Sequence, residues 1–444
     1  MNDNYRHRKE LFVSNLSGTT LYETGSIVIN ICASYFLCQI VKCSIPTLQS
    51  YSFVNFLWEH SILVIPMILV STYFSSISTV FHGILWIIAL LVYLNKPRVQ
   101  MKNVHGDQTR FYSRILENFR GQILIVTCIC ILAVDFPAFP RRYAKTENYG
   151  YSGMDLGVGL FALAHGMVSS EARSKSSKFS ELILENAVLL TLGLIRLISI
   201  KYFSYAEHIS EYGIHWNFFL TLCSMKLIGN GLLHLTKNLP VLIGVSLIVH
   251  EWVLLKYFQL EEYLITSDPI RKNFFDANRE GICSLGGYVC LYLIGIYMGR
   301  LVIAGERKHR LKEMSIGFTI ATILLCAVSF NPSRKLCNFS YITSTTGLTC
   351  MCMAGFSLIQ WLLLRKGVSI QSILLENINR KGLDTFLLAN VLTGVINLNV
   401  NTIDTSDGIA VLIISIYMFV VTMVAYFFPS IIKLIISLFK RSKK

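Results

Sequence analysis

Charge is what this chain of 444 residues has least of. Only 15% of its positions carry Asp, Glu, Lys or Arg, where a water-soluble domain has ~25%. With 53% hydrophobic residues and a mean hydropathy of +0.54, this excludes a soluble globular enzyme and points to an integral membrane protein. No CxxC occurs. Most of the 12 cysteines lie in apolar runs, and the pairs Cys128/Cys130 and Cys350/Cys352 sit on different helix faces. A disulfide framework and a zinc site are thereby excluded, and the cysteines read as small, reduced, apolar residues. There is no repeat at a fixed period, no low-complexity segment, and no Ser or Cys in a recognisable nucleophile elbow. No cleavable signal peptide is expected, because the first apolar run starts near Gly25 and is long enough to anchor the chain. Acidic residues are the scarcer sign, 26 against 40 basic, for a net charge of +14. In a membrane protein that excess collects in cytosolic loops and needs no nucleic-acid partner.

What is present is a series of apolar runs. A span needs ~20 mostly apolar residues, and about thirteen runs approach this. They lie near 25–42, 52–73, 78–95, 121–139, 153–172, 183–203, 214–233, 238–260, 281–303, 315–332, 339–364, 382–398 and 408–430. The fold class is therefore all-α, a polytopic membrane protein of about 13 transmembrane helices. An odd number puts the termini on opposite sides. Segments on the side of the C-terminal "KRSKK" hold about 24 Lys and Arg, and the others about 13, so the C-terminus reads as cytosolic and the N-terminus as lumenal. The sequons at Asn15 and Asn338 fall on the lumenal side in this arrangement. The expected organisation is a lumenal segment 1–24, one transmembrane domain 25–439 and a basic tail 440–444.

Ionisable residues at membrane depth are rare and mark function by default. Here they gather at helix ends assigned to one face: Asp135, Asp155, "EYGIHWN" (Glu211–Asn217), "DANREG" (Asp276–Gly281) and "NLNVN" (Asn397–Asn401). Each has a plainer reading. Ser152 and Asp155 fit a capping box. Glu211 and His215 are spaced as a helix-surface pair, as are Asp276 and Glu280 with Arg279 beside them. Asn390 and Asn397 suit interhelical hydrogen bonds. Asp135 resists such a reading. In "AVDFPAFPRRYAK" it follows an apolar run and precedes Pro137, where a helix must break. Dry, carbonyl-rich surroundings suit it to act as a base. Lys145 stands across a turn shaped by Pro137 and Pro140, and the two read either as a salt bridge or as a base and an oxyanion stabiliser.

The string "ILAVDFPAFPRRYAKTENYGYSGMDLGVG" resembles the signature of the inositol acyltransferases of glycosylphosphatidylinositol (GPI) anchor synthesis, the PIG-W family. So do "RKELFVSNLSG", "EYGIHWNFFLTL", "NREGICSLGGY" and "GLDTFLLANVLTGVINLNVNTI", in family order across nearly the whole chain. One block departs: where relatives resemble "SRRFANLPY", this chain has "SRKLCNFSY" (Ser333–Tyr341), and no candidate residue is taken from it. The resemblance implies a multi-pass enzyme of the endoplasmic reticulum membrane. It would move a fatty acyl group, usually palmitoyl, from acyl-CoA to the inositol 2-hydroxyl of glucosaminyl-phosphatidylinositol, with no cofactor and no metal. Its partners would be palmitoyl-CoA, the glycolipid and membrane lipids.

On that footing Asp135 is the expected base and Lys145 the oxyanion or carbonyl donor, with His215 in reserve because an imidazole titrates near neutrality. Arg141 and Arg142 are candidates for lipid or CoA phosphate, since guanidinium binds phosphate in a bidentate manner. Asp155, Glu211, Asn217, Asn278, Arg279, Glu280 and Asn397 complete the substrate-binding set. Two other classes remain. A secondary transporter would show paired broken helices in related halves, and a membrane scaffold would need no cluster of acid, base and Arg.

Overall fold

The computed structural model is described over residues 3–97, 113–174, 179–203, 211–236, 238–266, 271–367 and 371–430. The basic tail 440–444 lies outside the described residues. Among the described residues the regular elements are all helical, apart from one antiparallel bridge between Thr19 and Tyr151. Nine helical stretches among them are long and apolar enough to cross a membrane, so the chain is a multi-pass membrane protein. No disulfide joins any of the 12 cysteines.

Each of the roughly thirteen apolar runs contains helix, and three of those helices fall short of a span by length or composition. Gly153–Met167 has 15 residues and Leu311–Ala327 has 17. At ~1.5 Å per residue both are shorter than a ~30 Å hydrocarbon core. Phe179–Phe203, with 25 residues, is long enough to cross, while Gly382–Asn399 carries Asp384 and three Asn. The run 52–73 is two helices, Phe53–Leu63 and Ile65–Ser71, meeting at Val64. Pro66 has no N–H to continue the ladder, and its ring crowds the preceding turn.

The chain forms two compact units. The first comprises Met1–Leu21, Ala144–Arg307 and Ile320–Cys350. At its centre Gly153–Met167 lies along Leu285–Arg307, and glycines bring the two backbones together. A methyl group on Gly166 would sit 2.2 Å from the Tyr292 carbonyl oxygen, and one on Gly295 2.3 Å from that of Leu163. Small residues at such contacts let membrane helices approach backbone to backbone. Ser152 caps Gly153–Met167 through the Asp155 N–H, and Asn217 caps Phe218–Leu235 through those of Phe219 and Leu220. Leu239–Ile248 runs on into a π-helix, Val249–Tyr257.

The second unit comprises Tyr22–Tyr143, Lys308–Thr319 and Met351–Lys444. Here Arg114–Ala133 packs against Ile373–Arg380 and Gly382–Asn399. A methyl on Gly121 would meet the Leu375 carbonyl oxygen at 2.9 Å. The unit also holds a buried ion pair. Lys42 Nζ lies 2.5 Å from Glu59 Oε1, with side-chain exposures of 6% and 0%. Glu59 further accepts from the N–H groups of Ile373 and Leu374 at 3.2 and 2.6 Å. Lys42, the last residue of the apolar run 25–42, is thus a core residue, and its carboxylate partner sits inside the run 52–73.

Candidate active-site residues

In the first unit the polar segments fold onto one another. Gly213, with φ +109°, lets residues 211–217 turn against 277–281, and a methyl there would meet the Ala277 carbonyl oxygen at 2.5 Å. Ile214 N–H donates to the Ala277 carbonyl, Gly281 N–H to that of Tyr212, and His215 N–H to Asn278 Oδ1 at 2.8 Å. These residues precede Phe218–Leu235 and are not helical. The expected helix-surface pairing of Glu211 with His215 is therefore replaced. The glycine turn and the Asn217 cap start the helix later, and Glu211 finds a partner far along the chain.

That partner is Lys145, whose Nζ lies 2.6 Å from each Glu211 carboxylate oxygen. The next residue, Thr146, donates to Asp155 Oδ2 from its N–H at 2.9 Å and from Oγ1 at 2.6 Å. Asp155 Oδ1 accepts from Arg334 Nε at 2.8 Å. Arg334 Nη1 reaches the Glu211 carbonyl at 3.5 Å and so closes a ring, Lys145–Thr146–Asp155–Arg334–Glu211. The expected capping box is half present: Ser152 caps, while the Asp155 carboxylate turns instead to Thr146 and Arg334. Burial raises the Glu211 carboxyl, but the charges of Lys145 and Arg334 outweigh it and hold it down at about 2. Burial opposes the charge on Arg334, and Asp155 and Glu211 overcome it, so the guanidinium is held above its ordinary value. Glu211 is ionised at any physiological pH. Within the ring Lys145 and Glu211 keep side-chain exposures of 34% and 26%, against 5% and 3% for Arg334 and Asp155. Only the first pair is within a ligand's reach.

Asn278 is fully buried and also donates to the Phe274 carbonyl at 2.9 Å. Glu280 takes a bidentate grip from Arg271, at 2.9 and 2.7 Å. Arg279 lies 3.5 Å from the same carboxylate and over the Tyr263 ring. Asp276 accepts from Tyr263 Oη. Asp276 and Glu280 belong to separate short helices, Phe274–Ala277 and Arg279–Cys283, so they do not share a helix face. Asn217 spends its amide on the helix cap and on the Gly193 carbonyl at 3.0 Å.

In the second unit Asp135 stands two residues past the end of Arg114–Ala133 and is 9% exposed. Its Oδ2 accepts from Asn397 Nδ2 at 2.8 Å. Arg141 turns back over the broken helix end, donating to the carbonyls of Val134, Phe136 and Phe139. Burial lowers Arg141 to about 10, against the pull of the Asp135 charge toward the protonated form. Arg142 pairs with Glu23 at 3.1 Å. Asn390, expected to bond between helices, donates to Phe386 of its own helix.

A family model described as GWT1 matches residues 5–428 of the chain. The chain belongs to the GWT1 family. It is 30% identical to GPI-anchored wall transfer protein 1 of Candida albicans, over 96% of this chain and 98% of the relative. It is also 30% identical, over the same shares, to the phosphatidylinositol-glycan biosynthesis class W protein of Dictyostelium discoideum. The Saccharomyces cerevisiae relative, GPI-anchored wall transfer protein 1, is 31% identical over 95% of this chain and 97% of its own length. The GWT1 match takes in every candidate site residue named above. Two of them escaped sequence reasoning. Arg334 and Arg271 look like ordinary loop cations, and the signal that would have found them is a count of carboxylates against cations on the shared face.

Proposed function

We propose that this GWT1-family protein is an acyltransferase of GPI-anchor synthesis. It moves a fatty acyl group, palmitoyl in the first instance, from acyl-CoA to the inositol 2-hydroxyl of glucosaminyl-phosphatidylinositol. The observation that carries the reading is Asp135: a buried carboxylate just beyond an interrupted helix, aimed by Asn397, in a family whose relatives are named for GPI biosynthesis and wall transfer. In the reaction Asp135 takes the proton of the inositol hydroxyl as its oxygen attacks the thioester carbon. The C–S bond breaks, and the proton passes to the departing CoA thiolate. Lys145, ion-paired with Glu211, serves as a hydrogen-bond donor for a substrate oxygen. His215 is a reserve proton carrier. A flexible acyl chain would be selected by apolar burial at ~0.8 kcal/mol per methylene.

The same reading places the protein in the endoplasmic reticulum membrane, with about thirteen crossings, a lumenal N-terminus and a cytosolic C-terminus. The test is a microsomal transfer assay with radiolabelled palmitoyl-CoA. Asp135→Asn, expressed at the normal level, should lose turnover, and undiminished acylation by that variant would remove the base assignment. Lys145→Ala should lose kcat. A rise confined to KM for acyl-CoA would make Lys145 a binding residue.

A further inference from the structure

The ring of the first unit has a member with no part in the proposed chemistry. Arg334 is buried, lies in the block that departs from the family pattern, and touches neither Lys145 nor the Glu211 carboxylate among its side-chain bonds. Yet it is where the two arms of the ring meet. One arm runs through Asp155 to the backbone and hydroxyl of Thr146, the neighbour of Lys145. The other runs through the Glu211 carbonyl to the residue that grips the Lys145 ammonium. The surrounding block reinforces the contact. Ser333 Oγ donates to the Asn148 carbonyl, Gly150 N–H to that of Pro332, and Tyr341 Oη to that of Asp155 at 2.6 Å. A planar guanidinium has donors enough to serve a carboxylate and a carbonyl at once, and a lysine ammonium in its place has the wrong shape to do so.

We infer that Arg334 is a positioning residue for acyl transfer, fixing the Lys145 ammonium through Asp155–Thr146 on one side and Glu211 on the other. The inference rests on the role given to Lys145 above. A displacement of about 1 Å at a reacting group costs on the order of 10²-fold in rate, so the effect belongs in kcat.

The test uses the full-length protein purified in detergent micelles, with palmitoyl-CoA and a short-chain glucosaminyl-phosphatidylinositol as substrates. Arg334→Gln, monodisperse and with a wild-type unfolding temperature, should lose about 10²-fold in kcat with KM for both substrates held within about twofold. Arg334→Ala should regain turnover on addition of guanidinium ion and not of methylammonium, a response that a purely scaffolding arginine would not give. Should the Arg334 variants fail to fold, Thr146→Val removes one hydrogen bond on the same arm. It should lower kcat about tenfold without moving KM. Wild-type kcat in a folded Arg334→Gln or Thr146→Val protein, or a loss confined to KM, overturns the inference. Lys145→Ala separates the two failures. If it abolishes turnover while the Arg334 and Thr146 variants keep theirs, only the positioning role falls. If Lys145→Ala itself turns over normally, both fall.

Discussion

Glu59→Ala isolates the energetics of the second unit. The substitution strands the Lys42 ammonium at 6% exposure, with the Gln371 carbonyl at 3.1 Å as its remaining acceptor. It also takes the acceptor from the N–H groups of Ile373 and Leu374 at the start of Ile373–Arg380. Breaking a buried pair from one side costs about 3–5 kcal/mol, and each orphaned N–H adds about 1 kcal/mol or more. A loss on the order of 5 kcal/mol corresponds to roughly 10 °C in unfolding temperature, at about 2 °C per kcal/mol for a chain of this size. The assay is the temperature at which the detergent-solubilised protein loses its monodisperse peak on size-exclusion chromatography. The double variant Lys42→Met/Glu59→Leu removes both charges and leaves the two N–H groups and the Gln371 carbonyl wanting. It should recover roughly 3 kcal/mol, or about 6 °C, of the loss. A drop below about 2 °C for Glu59→Ala, or a double variant no better than the single one, would refute the reasoning, because the pair would then not be dry.

Three further outcomes follow from the geometry. Asn397→Leu removes the donor that aims Asp135 and should lower kcat/KM by about 10–100-fold, the worth of one hydrogen bond to a charged group; unaltered steady-state kinetics would deny Asn397 that task. Gly295→Val should abolish accumulation of folded protein in membranes, since even a methyl there meets the Leu163 carbonyl at 2.3 Å, whereas Gly394→Ala, with open space around it, should be neutral or slightly stabilising. Glu211 is held below its unfolded value, so its stabilisation is complete above pH ~4.3 and drains away as pH falls toward about 2. The unfolding-temperature gap between wild type and Glu211→Gln should accordingly be widest near neutrality and close in acid, and a gap that is flat with pH would contradict the ion pair.

Much of this was legible because apolar runs and helix breakers act locally. The helix in the run 121–139 ends at Ala133, ahead of Pro137, and Ser152 caps its helix through the residue that the capping rule names. The polar residues at helix ends were legible too, since charge inside an apolar chain is its own signal. Their partners were not. Glu211 pairs with Lys145, 66 residues away, and Asp155 with Arg334, 179 residues away. Sequence spacing carries no trace of such contacts, and so a local pairing of Glu211 with His215 looked adequate until Gly213 was seen to turn the chain. Span length was the other casualty. Gly153–Met167 is a short helix held by glycine contacts to its neighbour rather than by apolar length, and a hydropathy window cannot distinguish the two.

The π-helix Val249–Tyr257 carries one consequence for how this fold tolerates change. Its wider turn aims His250, whose Nε2 donates to the carbonyls of Leu336 and Cys337 at 3.2 and 3.1 Å. Deleting a single residue there would restore ordinary winding and swing the imidazole by about 100°. Two carbonyls just past Arg334 would lose their anchor. Insertions and deletions in that stretch, far from Lys145 along the chain, should therefore be selected against as severely as changes beside it, and a deletion scan across residues 249–257 would map the boundary.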